Sequence, residues 1–128
     1  MAAGMIPPPG RPERRKTPRI SEQVSLSLAH ADGVIRADTQ NLSTAGAYCV
    51  LDRFIPPLTK LELELNVPDG RHVRSIRCLG VVVRVEPVLT SPQRGRYQTA
   101  VLFTELSERD RSAIARFVTQ RLSNSVST

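Results

Sequence analysis

Two short segments carry the residue types best suited to binding chemistry. Arg15-Lys16-Thr17-Pro18-Arg19 sets two guanidinium groups four residues apart in a polar, Pro-containing stretch. Asn41-Leu42-Ser43-Thr44-Ala45-Gly46 sets an amide, a hydroxyl and a residue without a side chain in one turn. A guanidinium is a planar fork of donors that matches phosphate oxygens, pairs with the O6/N7 edge of guanine and stacks on a base. Asn41 can donate to and accept from a base edge, and Ser43 can bond a phosphate or fix the turn. Gly46 permits positive φ and close approach of a ligand to the backbone. Together these groups suit a phosphorylated purine.

Taken singly, each segment also has a plain structural reading. Paired arginines near a terminus form solvated basic arms, and Asn, Ser and Gly make ordinary turns. Their significance depends on the elements that hold them. Pro7, Pro8, Pro9, Gly10 and Pro12 make residues 1–13 a flexible N-terminal arm. Val24, Leu26 and Leu28 alternate with polar or small residues, the period of a half-buried strand. Further strands are expected at Val34 to Asn41, Ala47 to Leu51, Leu61 to Val67, Val73 to Val88 and Tyr97 to Phe103, with Pro68-Asp69-Gly70 as a turn and Gly80 as a bulge site. Ser107 is a candidate N-cap for a helix with Ile114, Phe117, Val118 and Leu122 on one face. Residues 123–128 read as a disordered tail. Six antiparallel strands and one C-terminal helix favour an all-β barrel plugged at one end, because closure removes exposed strand edges.

Composition narrows the function classes. At 128 residues and 40% hydrophobic content the chain builds one core. It lacks an apolar run long enough for a membrane helix and a basic-then-apolar start, so it is expected to be cytoplasmic without membrane insertion. Cys49 and Cys78 lie in strand-like runs away from ligand spacing and read as buried thiols, so neither a metal nor a cofactor is expected. No triad, carboxylate pair or Walker-type loop suggests an enzyme. The net charge of +6 is concentrated at Arg11, Arg14, Arg15, Lys16 and Arg19, opposed locally only by Glu13, and such a field attracts an anion.

The two segments, in this order and followed by these strands, resemble the Arg-x-x-x-Arg and Asp/Asn-x-Ser-x-x-Gly signatures of the PilZ family of bacterial cyclic di-GMP receptors. The resemblance covers residues 14–122 as one PilZ-like domain. It implies a six-stranded antiparallel β-barrel with a C-terminal α-helix, and it assigns Arg15 and Arg19 to the guanines and phosphates of cyclic di-GMP. Asn41, Ser43 and Gly46 would form the opposite wall. Arg14, next to the motif, implies a second stacked nucleotide and a ligand-bridged homodimer. Two departures stand out: Asn41 where the family often has Asp, and Ala100 where it commonly has Gly. By resemblance the protein is a single-domain receptor that changes its surface on binding to regulate a protein effector in motility, pilus or exopolysaccharide machinery. The alternatives are a small nucleic-acid-binding barrel, which the scarcity of aromatics disfavours, and a PilZ-like adaptor that binds no nucleotide.

Overall fold

The computed structural model describes residues 19–20, 23–30, 33–90, 92 and 94–127. The arm of residues 1–13, with Arg14 and Arg15, lies outside the described residues.

Seven strands and one helix follow in chain order: β1 (Arg19–Ile20), β2 (Ser25–His30), β3 (Gly33–Ser43), β4 (Gly46–Leu51), β5 (Lys60–Asp69), β6 (His72–Pro87), β7 (Tyr97–Glu105) and α1 (Glu108–Ser127). All pairings are antiparallel, in the order β3-β2-β5-β6-β7-β4, and a further β3–β4 pairing closes the six long strands into a barrel. The expected six-stranded barrel with a C-terminal helix is therefore what the chain forms.

The alternation seen in the sequence sets the register. Leu26 and Leu28 of β2 stand opposite Leu65 and Leu63 of β5 on one side, and opposite Ala37 and Ile35 of β3 on the other. Leu26, Leu28, Leu42, Leu65, Ile76 and Val82 are sealed from solvent. Each such side chain contributes about 1.5–3 kcal/mol through removal of apolar surface from water. Glu62 and Glu64, between the buried leucines of β5, lie on the outside, and Glu64 accepts a hydrogen bond from Ser75 Oγ at 2.6 Å. A two-residue link joins Asp69 to its partner His72, with Gly70 at φ 66°, the left-handed conformation glycine tolerates best.

Helix α1 begins as the sequence suggests. Ser107 Oγ accepts from the Asp110 amide at 3.1 Å, and the Ser107 carbonyl accepts from Arg111 N at 2.8 Å. Ala113, Ile114, Phe117 and Val118 face the barrel core. Leu122, expected on the same stripe, is 38% exposed, and the Arg121 guanidinium lies 4.6 Å from the Phe117 ring centre. Ion pairs Arg74–Asp110 (3.2 Å) and Arg116–Asp69 (3.4 Å) tie α1 to the β5–β6 hairpin. The helix backbone runs on to Ser127, through most of the stretch read as a disordered tail. Residues 123–127 contain neither Gly nor Pro, the two residues least compatible with a helix interior.

One element escapes the sequence pattern. β1 is only two residues long, too short for any periodicity to register, yet Ile20 is buried in the core. β1 pairs with Leu42 and Ser43 on the edge of β3 away from β4, the edge that β2 also uses.

Candidate functional site

The turn between β3 and β4 is built from its own side chains. Ser43 is 5% exposed; its Oγ accepts from the Ala45 amide at 3.1 Å and reaches the Gly46 carbonyl at 3.5 Å. Outside the turn, Phe103 N of β7 donates to the Ala45 carbonyl at 2.9 Å, and Arg111 Nη1 of α1 donates to the Thr44 carbonyl at 3.0 Å. Of the two roles open to Ser43, fixing the turn is therefore filled within the protein. The helix and the last strand hold the same six-residue segment from both sides.

Gly46 is required for a different reason from the one its place in the motif suggests. Its φ lies outside the left-handed region, which among described glycines is occupied by Gly33, Gly70 and Gly95. A Cβ on Gly46 would stand 2.2 Å from the Val101 carbonyl oxygen and 3.2 Å from Leu102 Cα. Close passage of β4 against β7 forbids any side chain there, so the expectation of a positive φ at Gly46 is corrected to one of interstrand contact.

Asn41, Ser43 and Gly46 meet around one cavity of about 140 Å³, shared with Leu42, Ala45, Ala47, Tyr48, Val83, Ala100, Val101 and Leu102. Ala100, the departure noted in the sequence, is 6% exposed and stands between Tyr48 and Arg84 in the strand register. Its methyl thus forms part of the cavity wall. Val83 and Leu102, 47% and 44% exposed, add apolar walls beside the polar motif. Val83 belonged to a strand in the sequence reading, but its place at this cavity depends on which strands become neighbours.

Arg19 is the one member of the arginine motif among the described residues. Its backbone in β1 pairs with Ser43 of β3. The two motifs therefore abut at a single edge of the barrel, although they are far apart in the chain.

A larger hollow of about 950 Å³ is lined by Arg36, Arg77 and Arg111 but also by Glu62, Glu64 and Glu105. Its arginines are matched by as many glutamates, so its lining gives no net positive field for an anion. Among the described residues no three His, Cys, Asp or Glu side chains converge on a metal position. Cys49 and Cys78 are buried free thiols, pushed up to about 12 and about 11 respectively by desolvation, with the Asp110 carboxylate adding to the rise at Cys78.

The profile of the PilZ domain matches residues 13–120. The chain belongs to the PilZ domain family. Among solved structures, this PilZ chain is similar to the Bacillus subtilis inhibitor of motility, MotI/DgrA, at 22% identity and a TM-score of 0.79, covering 93% of this chain and 57% of that one. It is also similar to Escherichia coli YcgR in complex with c-di-GMP, at 16% identity and a TM-score of 0.70, covering 89% of this chain and 48% of that one. The PilZ domain of Escherichia coli YcgR with c-di-GMP matches at 16% identity and a TM-score of 0.62, covering 90% of this chain and 98% of that domain. At these identities the likeness is one of fold. This PilZ chain spans about half the length of MotI/DgrA and of full YcgR. No curated protein matches it.

Proposed function

We propose that this PilZ domain is a non-enzymatic cytoplasmic receptor for cyclic di-GMP. In this reading Arg15 and Arg19 grip guanine edges and phosphates from the N-terminal side, and Asn41 with the Ser43–Gly46 turn forms the barrel wall. The observation that supports it most is the pairing of Arg19 with Ser43, which joins the arginine motif to the turn motif at one edge. The neighbouring cavity, with an amide, a hydroxyl-braced turn and apolar walls, has the mixed character that a purine nucleotide needs. Residues 14–122 act as the receptor domain, preceded by an N-terminal arm at 1–13.

Folding of the arm over a dianionic ligand costs ordering free energy, and charge-assisted bonds of about 1.5–3 kcal/mol each offset it. The resulting change of surface is the signal read by a protein effector. Arg14 adds a planar cation that stacks a second nucleotide and bridges two protomers.

Calorimetric titration with cyclic di-GMP, beside GTP and a single-stranded oligonucleotide, tests the reading. Selective binding of cyclic di-GMP supports it. Oligonucleotide binding with a steep salt dependence makes the domain a nucleic-acid binder instead, and binding of none of the three makes it a protein adaptor.

A further inference from the structure

One row of residues crosses four strands on the outer face of the barrel: Asn41 of β3, Tyr48 of β4, Ala100 of β7 and Arg84 of β6. The rows on either side face inward. Thr39, Cys49 and Thr99 are sealed on one side; Leu42, Ala47, Val101 and Val82 are buried on the other.

At both ends of the outer row the register shifts by one residue. Gln40 is the extra residue between Thr39 and Asn41, and Val83 is the extra residue between Val82 and Arg84. Strict alternation from the buried Thr39 would place Asn41 inside the barrel, and from the buried Val82 it would place Arg84 inside. A bulge adds one residue and re-aims the side chains beyond it. Asn41 instead lines the motif cavity, and the Arg84 side chain is 60% exposed. Two separate bulges therefore deliver an amide and a guanidinium to the same face, at opposite ends of one row.

The centre of the row sets a small side chain between an aromatic ring and a guanidinium. Ala100 is small, Tyr48 is half-buried at the cavity wall, and the bulged Val83 supplies an apolar flank. Arg84 Nε donates to Glu86 at 3.1 Å in an exposed pair on the same strand. In the register Tyr48 and Arg84 flank Ala100, one from β4 and the other from β6.

Resting on the nucleotide reading above, we propose that Tyr48 and Arg84 form a stacking platform on the barrel for a guanine base of the ligand, with the Arg84 guanidinium laid against the purine face. Planar cations and aromatic rings are the side chains that hold a base by its π-face.

The test is calorimetric titration of the full chain and its variants with cyclic di-GMP. Arg84→Ala and Tyr48→Leu are each expected to weaken binding about tenfold, and Arg84→Lys is expected to recover little, because an ammonium keeps the charge without the plane. The loss should persist between about 50 and 300 mM salt, since stacking is screened less than a phosphate contact. Arg84 is exposed, so Arg84→Ala should melt with the parent, and it remains informative even where Tyr48→Leu loosens the fold. A parent that binds while Arg84→Ala stays within about twofold overturns the platform alone, as does full recovery by Arg84→Lys. A parent that binds no cyclic di-GMP overturns the nucleotide reading, and the platform with it.

Discussion

Arg19 stands opposite Ser43 across the antiparallel β1–β3 pair, and the next residue, Ile20, is buried opposite Leu42. The second arginine of the motif is thus anchored through a neighbour that belongs to the core. Its position depends on the barrel as well as on the arm.

Arg15→Ala and Arg19→Ala should each weaken cyclic di-GMP binding by about 1–3 kcal/mol, the scale of a bidentate guanine contact. Ile20→Ser should weaken it as well, because loss of the anchor frees β1 from β3. Calorimetry with parallel thermal melts separates the cases: Arg19→Ala leaves the melting temperature in place and Ile20→Ser lowers it. Parent-like affinity in both arginine variants would remove the arginine motif from the site.

Gly46→Ala should destabilise the fold by about 1–3 kcal/mol, the usual range for forcing a methyl into packed surroundings, because its Cβ meets the Val101 carbonyl. Gly70→Ala meets no atom within 4 Å and carries only the backbone cost of its positive φ, about 1 kcal/mol. Urea unfolding of the two variants checks the ordering. An undisturbed Gly46→Ala would mean that β4 and β7 can separate without penalty.

Ser43→Ala and Arg111→Met should each loosen the β3–β4 turn, since one removes the acceptor of the Ala45 amide and the other the donor to the Thr44 carbonyl. Faster hydrogen exchange at the Ala45 amide is expected in both, with a larger increase for Ser43→Ala because that amide loses its partner outright. Unchanged exchange in both would show that the strands alone fix the turn.

Asn41→Asp should preserve or tighten cyclic di-GMP binding where the side chain meets the guanine edge, because a carboxylate accepts two hydrogens and the amide oxygen fewer. A large loss of affinity by titration would place Asn41 against phosphate.

Alkaline pH should destabilise the protein through its two thiols. Burial raises Cys49 to about 12 and Cys78 to about 11 from 9.0, so the neutral thiols are favoured in the folded state. Their contribution is complete below the unfolded value and is lost as pH rises through the folded values. Urea midpoints should fall progressively as pH rises from 9.0 toward about 11, and the Cys49→Ala, Cys78→Ala double variant should show a shallower fall. An identical slope in parent and double variant would rule the thiols out as its source.

The elements with local signatures were legible in the sequence. β2 and β5 follow from the alternation of Leu26 and Leu28 and of Leu61, Leu63 and Leu65. The start of α1 follows from Ser107, whose hydroxyl caps the Asp110 amide. Asn41 and Ser43 are identifiable from their chemistry and their two-residue spacing at the end of β3. Leu122 was misplaced because helical periodicity marks a face without showing how far the neighbouring sheet extends beneath it.

The sequence by itself determined the period of each long strand, the helix cap, the positive arm and the two motifs, because each is written in residues adjacent along the chain. Tertiary structure alone decided that Arg19 pairs with Ser43 and that Gly46 must lack a side chain because Val101 passes beside it. It also decided that bulges at Gln40 and Val83 turn Asn41 and Arg84 onto one face. Each of these depends on which distant strand becomes a neighbour and in what register, a choice made by burying the whole core at once.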